Sequence, residues 1–421
     1  MPYAVIFYLG KILLPAGLSC VYPYSGIKDI SIYLFSLAGC FAIPVLMIRS
    51  AKYTKKVVFG ILFFLVTLLP VLQFIPMGST IAADRYAYMA SVGFFYLIAE
   101  GIVWAYGKTA EKNRRLGVAL IIVLLILITG SLSVLTWNRC AVWKDDITLW
   151  GDVLSKYPNA LAYNRRGIYF AERKDYDRAL GDFKKVLLYA PYDTDVYINL
   201  GNLYNAMGEN NKAITTFKRG LKMGTEPAVS YFSLATTYLE LGNNEIAISF
   251  YKKTLELAPD NAVVCYSLGM LYKKLGKNDD AIQMLSRTVE IAPGFLLPYP
   301  TLSQFYEEAG KRAEQFALYR QAIAHDVPFY TAYYDIGNLD LEQGDIKSSI
   351  RMFQRAVEIS PSSAEGYVSL ASAHCALGQT KKAILLLTKA LEINPKIAVA
   401  HNNIAVAYYL PKAIRPGDPA L

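Results

Sequence analysis

A period of 34 residues governs this chain from Ala160 to Lys396. Small residues return at that interval at Gly167, Gly201, Ala235, Gly269, Ser303, Gly337, Ala371 and Ala405, without an insertion. Three positions after each stand Phe170, Tyr204, Tyr238, Tyr272 and Tyr306, then Asp340, His374 and Tyr408. Seven positions after stand Gly208, Gly242, Gly276, Gly310, Gly344 and Gly378, with Lys174 in the first unit. Twelve after come Ala179, Ala213, Ala247, Ala281, Gln315, Ser349 and Ala383. Twenty-four after come Pro191, Thr225, Pro259, Pro293, Val327, Pro361 and Pro395. This grammar specifies pairs of helices. Small residues let two helices approach, glycine turns the chain between them, and proline ends each pair. Phe183, Phe217, Tyr251, Tyr319 and Phe353 recur at one phase and should fill the space between helices. One such pair cannot bury its apolar face alone, so the units must stack.

The pattern resembles the tetratricopeptide repeat (TPR). The expected fold is all-α: polytopic transmembrane helices followed by a TPR α-solenoid of seven full repeats and a partial eighth over residues 160–410. Ala398–Leu410 begins the eighth unit, and Pro411 and Pro416 should stop it, leaving 411–421 as a disordered tail. The array then has no polar closing helix, as in an incomplete product.

The 54% of hydrophobic residues is unevenly spread. Residues 1–143 carry near-continuous apolar runs, with 12 Lys+Arg and 4 Asp+Glu; the remainder holds 31 and 30. The net charge of +9 therefore sits in the apolar third and is no nucleic-acid footprint on the repeats. A transmembrane region is expected over residues 1–136, with four strong spans at 30–48, 57–75, 86–106 and 116–136. A short apolar segment at 3–18, interrupted by Lys11 and Pro15, precedes them. Arg49, Lys52, Lys55 and Lys56 fill one connection, and Lys108, Lys112, Arg114 and Arg115 fill another. Positive loops stay cytoplasmic, so the last span should exit outward and carry the repeats to the extracytoplasmic side. The expected host is a bacterial inner membrane, with an ER membrane as the alternative. Glu100 falls near the cytoplasmic end of its span, within reach of headgroups or Lys108. Residues 137–159 form the joint and a cap helix, with Leu149, Trp150, Val153 and Leu154 at helical spacing. The five cysteines and three histidines are dispersed, and no spacing predicts a metal or a cofactor.

Two stretches in the apolar third carry a second resemblance. ADRYAYMASVGF (Ala83–Phe94) is similar to the RYxYLPSxGF-type stretch of TPR-bearing GT-C glycosyltransferases, a group that includes the TMTC-type O-mannosyltransferases. LSCVYPYSG (Leu18–Gly26) looks like an outer loop of the same families, and Trp143, Asp146, Leu149 and Trp150 like their joint to the repeats. The resemblance implies sugar transfer from a polyprenyl-phosphate donor. Arg85, with Asp84 and Tyr86, would then meet the lipid phosphate, since a guanidinium matches phosphate oxygens by paired hydrogen bonds. The families' catalytic acid lies in a region that has no counterpart here, so no catalytic residue is assigned and this chain alone is expected to be non-catalytic.

The repeats offer binding. First-helix positions line the inner groove of such an array, and here they include Asn164, Asn202, Phe232, Tyr266, Gln304, Tyr334 and Asn338. Asparagine and glutamine amides can hold a peptide backbone and aromatic rings its apolar side chains. The favoured function is a membrane-anchored interaction module that binds a protein or peptide in this groove. The alternative is the C-terminal part of a polyprenyl-phosphate-sugar-dependent transferase, and a third reading is an envelope scaffold.

Overall fold

The structure, a computed structural model, describes residues 2–13, 18–20, 22–23, 30–68, 80–82 and 87–413. They form two compact bodies, Met1–Thr225 and Glu226–Leu421.

The first body opens with α1 (Pro2–Leu13), β1 (Tyr22–Pro23), α2 (Ile30–Ala51), α3 (Lys55–Leu68), β2 (Thr80–Ala82) and α4 (Ala87–Val142). Helix α5 (Asp146–Lys156) follows, then the hairpins α6 (Ala160–Glu172) with α7 (Tyr176–Tyr189) and α8 (Asp195–Ala206) with α9 (Asn210–Met223). The Ser50 carbonyl accepts from the amides of Tyr53 and Thr54 at 2.9 and 2.8 Å, which closes a tight turn at the first basic connection. α3 and α4 then pack through glycine. A Cβ on Gly93 would lie 2.7 Å from the Gly60 carbonyl oxygen, and one on Gly60 would lie 2.6 Å from Leu97. Missing side chains let apolar helices approach this closely. Lys56 and Glu100 close the same antiparallel pair at 2.8 Å. Glu100 thus meets Lys56 of the neighbouring helix; the Lys108 side chain lies outside the described residues.

The basic segment 107–115 is helical where a loop was expected, and α4 runs through it from Ala87 to Val142. The segment GKTAEKNRRL holds good helix formers and no proline, so a fall in hydropathy brings no helix stop with it. A straight helix of this length would span about 84 Å. Yet both ends of α4 lead to Tyr22. Ala90 shares an apolar cluster with Tyr22, while Arg139 bonds to Asp152 of α5, whose following residue Tyr157 lies edge-on to the Tyr22 ring at 5.2 Å. α4 is therefore bent. Two stretches of it, Met89–Gly107 and Gly117–Val142, are long and apolar enough to cross a membrane. α1 is too short to do so, and the expected span 57–75 is described only to Leu68. Trp137 is 82% exposed at the end of the second stretch.

The second body holds α10 (Pro227–Glu240) with α11 (Asn244–Leu257), α12 (Ala262–Lys274) with α13 (Asn278–Ile291), and α14 (Pro298–Glu308) with α15 (Arg312–Ala324). It continues with α16 (Tyr330–Glu342) and α17 (Ile346–Ile359), α18 (Ala364–Ala376) and α19 (Thr380–Ile393), and α20 (Ala398–Ala413). The fold is all-α, a TPR solenoid of seven hairpins and a partial eighth, as the period implied. The turn glycines take left-handed backbone, φ +83° at Gly344 for one, and Lys174 takes the same conformation at φ +61°. At the small-residue position, Gly337 leaves the hole into which the Phe353 ring packs; a Cβ there would lie 2.8 Å from the ring. His374 is buried and its Nδ1 meets the Gln379 side-chain oxygen at 2.9 Å, a packing role. α20 passes through Pro411 and ends at Ala413, not at Leu410. A proline this near a helix end forfeits little of the hydrogen-bond ladder. Residues 414–421, most of the expected tail, lie outside the described residues.

Candidate functional site

The fifth hairpin departs from the others where they pack. Ala179, Ala213, Ala247, Ala281, Ser349 and Ala383 are all wholly buried between their helices. Gln315 occupies that position in α15 and stays half-buried. Its amide donates to the Ser303 carbonyl oxygen at 3.3 Å and to the Ser303 Oγ at 3.1 Å. Ser303 itself stands where Gly337 opens space for a ring, and its hydroxyl lies 2.8 Å from that of Tyr319. A longer polar side chain at one position and a hydroxyl at the other replace methyl-against-ring packing.

Beside this hairpin and α16 lies a cavity of about 700 Å³. α14 contributes Ser303, Gln304 and Glu307; α15 contributes Arg312, Gln315, Phe316 and Tyr319; α16 contributes Asp335, Asn338 and Glu342. Burial pushes the Asp335 carboxyl above the usual carboxylate range, and Glu307 pushes it the same way; a hydrogen bond from Tyr319 and the charge of Arg312 oppose both. Burial pushes the Tyr319 hydroxyl up to about 12, so it remains a donor at neutral pH. Gln315, Ser303 and Tyr319 are thus linked by hydrogen bonds, and Asp335 lines the cavity with them. These groups can hold a ligand by charge and hydrogen bond.

The structure brings together two of the groove residues read from the sequence, Gln304 and Asn338. Tyr334 stacks on Tyr330 at 5.5 Å and accepts from Ser369. Phe232 and Tyr266 pack against the core of the second body, and Tyr266 lies edge-on to Phe295. In the first body Asn164 accepts from Asn199 at 2.9 Å, and Asn202 is exposed. Glu307, Tyr319 and Asp335 were missed. The available signal was the pairing of Ser303 with Gln315 at positions that other units keep small.

Asp84, Arg85 and Tyr86 lie outside the described residues. The strand just before them is described. β2 pairs with β1 in antiparallel fashion, Tyr22 opposite Ala82 and Pro23 opposite Thr80. The Lys156 ammonium donates to the Leu18 carbonyl at 3.0 Å and ties α5 to the first of them. Arg139 and Lys156 both bond to Asp152.

Comparison with family models agrees with the fold. A tetratricopeptide-repeat family model matches residues 170–236, 238–296 and 340–406. Human Protein O-mannosyl-transferase TMTC3 is 28% identical over 141 residues, 33% of this chain and 15% of that protein, and the mouse protein is 26% identical over the same length. The chain thus spans about 15% of the length of the curated relatives it matches. Among solved structures, MamA is 28% identical over 38% of this chain and 94% of its own, with a TM-score of 0.34. YrrB, described as a TPR protein with an unusual peptide-binding site, is 19% identical over 52% of this chain and 96% of its own, with a TM-score of 0.29. From its regular period, its hairpins and its family match, the region that begins at Ala160 is built of tetratricopeptide repeats.

Proposed function

We propose that this chain is a membrane-anchored interaction module that binds a polypeptide segment at the cavity of its fifth repeat. The observation that carries this reading is the cavity of about 700 Å³ lined by polar side chains from α14, α15 and α16. The amide of Asn338 is suited to a peptide backbone, while that of Gln304 is held by Lys273 at 3.3 Å and Glu308 at 2.8 Å. The basic turn at Arg49–Lys56 supports an orientation with that turn in the cytoplasm and the repeats outside; the host membrane proposed is a bacterial inner membrane.

The test presents a phage library of random dodecapeptides to the full chain in nanodiscs. Enriched peptides should bind at least about tenfold more weakly to Asn338→Trp, which fills the cavity, and keep their affinity for Asn202→Trp. A selection that yields no peptide, or equal loss in both variants, contradicts the reading.

A second reading has one observation behind it. β1, within one stretch that resembles a GT-C glycosyltransferase, pairs with β2, which immediately precedes the other in sequence, and the curated relatives are named O-mannosyl-transferases. On that reading this chain is the C-terminal part of such an enzyme, and Arg85, Asp84 and Tyr86 meet a polyprenyl-phosphate sugar. An Arg85→Ala variant that leaves glycosylation in cells unchanged would remove it.

A further inference from the structure

The cavity of the fifth repeat has a charge imbalance. Glu307, Asp335 and Glu342 line it against a single cation, Arg312. Among the described residues, none of the three carboxylates closes an ion pair. By contrast, the buried Asp182 of the first body takes both Arg166 nitrogens at 2.7 and 2.8 Å.

The base of the cavity is built rather than accidental. Tyr319 and Ser303 are 1% and 5% exposed and bond to each other. Asp335 lines the same cavity as Tyr319. Burial outweighs the influence of Tyr319 and Arg312 on the Asp335 carboxyl. A carboxylate in that position gains most from a cation brought to it. The wall is suited to one as well. The Arg312 guanidinium sits 5.5 Å from the Phe316 ring centroid, so an aromatic face here already accepts a guanidinium.

We propose that the cavity takes the side chain of an arginine or lysine from the bound polypeptide, set against Asp335 and Glu307. This rests on the reading of the cavity as a peptide site and names the residue class it selects. Glu342, at the end of α16, adds the same sign of charge to the lining. The field of the three carboxylates would steer a basic segment toward the site and reject an acidic one.

The experiment extends the dodecapeptide selection on the full chain. Peptides enriched on the native chain should share an arginine or lysine, and its replacement by alanine should weaken binding at least about tenfold. Glu307→Gln with Asp335→Asn, both close in size to the native residues, should weaken the same peptides at least about tenfold, and added salt should weaken them on the native chain. Glu342→Lys leaves Ser303, Tyr319 and Asp335 in place and should also weaken binding, which separates loss of charge from damage to the fold. Enriched peptides without a basic residue, or basic peptides held equally well by the double variant and by Glu342→Lys, overturn the inference and leave the peptide reading standing. A selection that enriches nothing overturns both.

Discussion

The fifth and sixth hairpins lie next to each other in the second body and share one period, yet they are joined by different forces. In the sixth, Gly337 gives its space to the Phe353 ring, which is wholly buried, and Ser349 beside it is buried too. In the fifth, Ser303 meets Tyr319 through hydroxyls, and Gln315 reaches across to Ser303. Ring packing is short-ranged and leaves no room; a chain of hydrogen bonds holds the helices with polar atoms still turned to the cavity. The repeat supplies the frame, and two of its small positions, held by Ser303 and Gln315, line a cavity instead.

The largest expected effect is in the packed hairpin. Phe353→Ala should lower the stability of α16–α17 by about 4 kcal/mol, since it empties a site that nothing else can fill. Hydrogen exchange of amides in those helices measures it. A loss near that of an exposed residue would show that the two hairpins differ less than their geometry implies. Next comes Gly337→Val. Its Cβ would meet Phe353 at 2.8 Å, and the crowding should cost about 2 kcal/mol by the same exchange measurement. Tyr319→Phe keeps the ring and deletes only the hydroxyl, so it should cost about 1 kcal/mol. A cost as large as that of Phe353→Ala would mean that the fifth hairpin depends on its polar chain as heavily as the sixth does on its ring.

The smallest effects are those of pH, and their signs differ between two carboxylates. The Asp335 pKa is raised on folding, chiefly by burial. The folded chain therefore binds the extra proton, and stability falls as pH rises from 3.8 through the raised value. Asp335→Asn should raise the melting temperature at neutral pH, a gain that vanishes below pH 3.8. In the first body, burial alone would lift Asp152, but its bonds with Arg139 and Lys156 hold it below 3.8. Its contribution is present above pH 3.8 and is lost as pH falls through the depressed value. Asp152→Asn should therefore lower the melting temperature at neutral pH, with the difference closing in acid. Equal signs for the two substitutions would contradict the contrast.

The repeats were legible because each feature is local and recurs. Gly208, Gly242 and their counterparts turn the chain with left-handed backbone, and the paired small and large positions meet inside one hairpin. Even the exception read correctly as part of the turn set, since Lys174 takes the glycine conformation. The rest depended on contacts between distant segments or on weak stops. Nothing within residues 107–115 breaks a helix, so charge alone gave a false loop. Glu100 found Lys56 across a helix pair whose register is set by Gly60 and Gly93. The cavity draws on three helices, and Asp335 occupies no position that the period marks. Two of its residues, Gln304 and Asn338, were visible because they share the groove-lining phase.

The central claim is that the fifth repeat, and no regular one, is where a polypeptide docks. Hydrogen exchange on the full chain in nanodiscs, with and without an enriched dodecapeptide, tests it most directly. Added protection should gather over α14, α15 and α16 and be absent from α8 and α9. Protection spread evenly over the repeats, or confined to helices other than α14–α16, would contradict it.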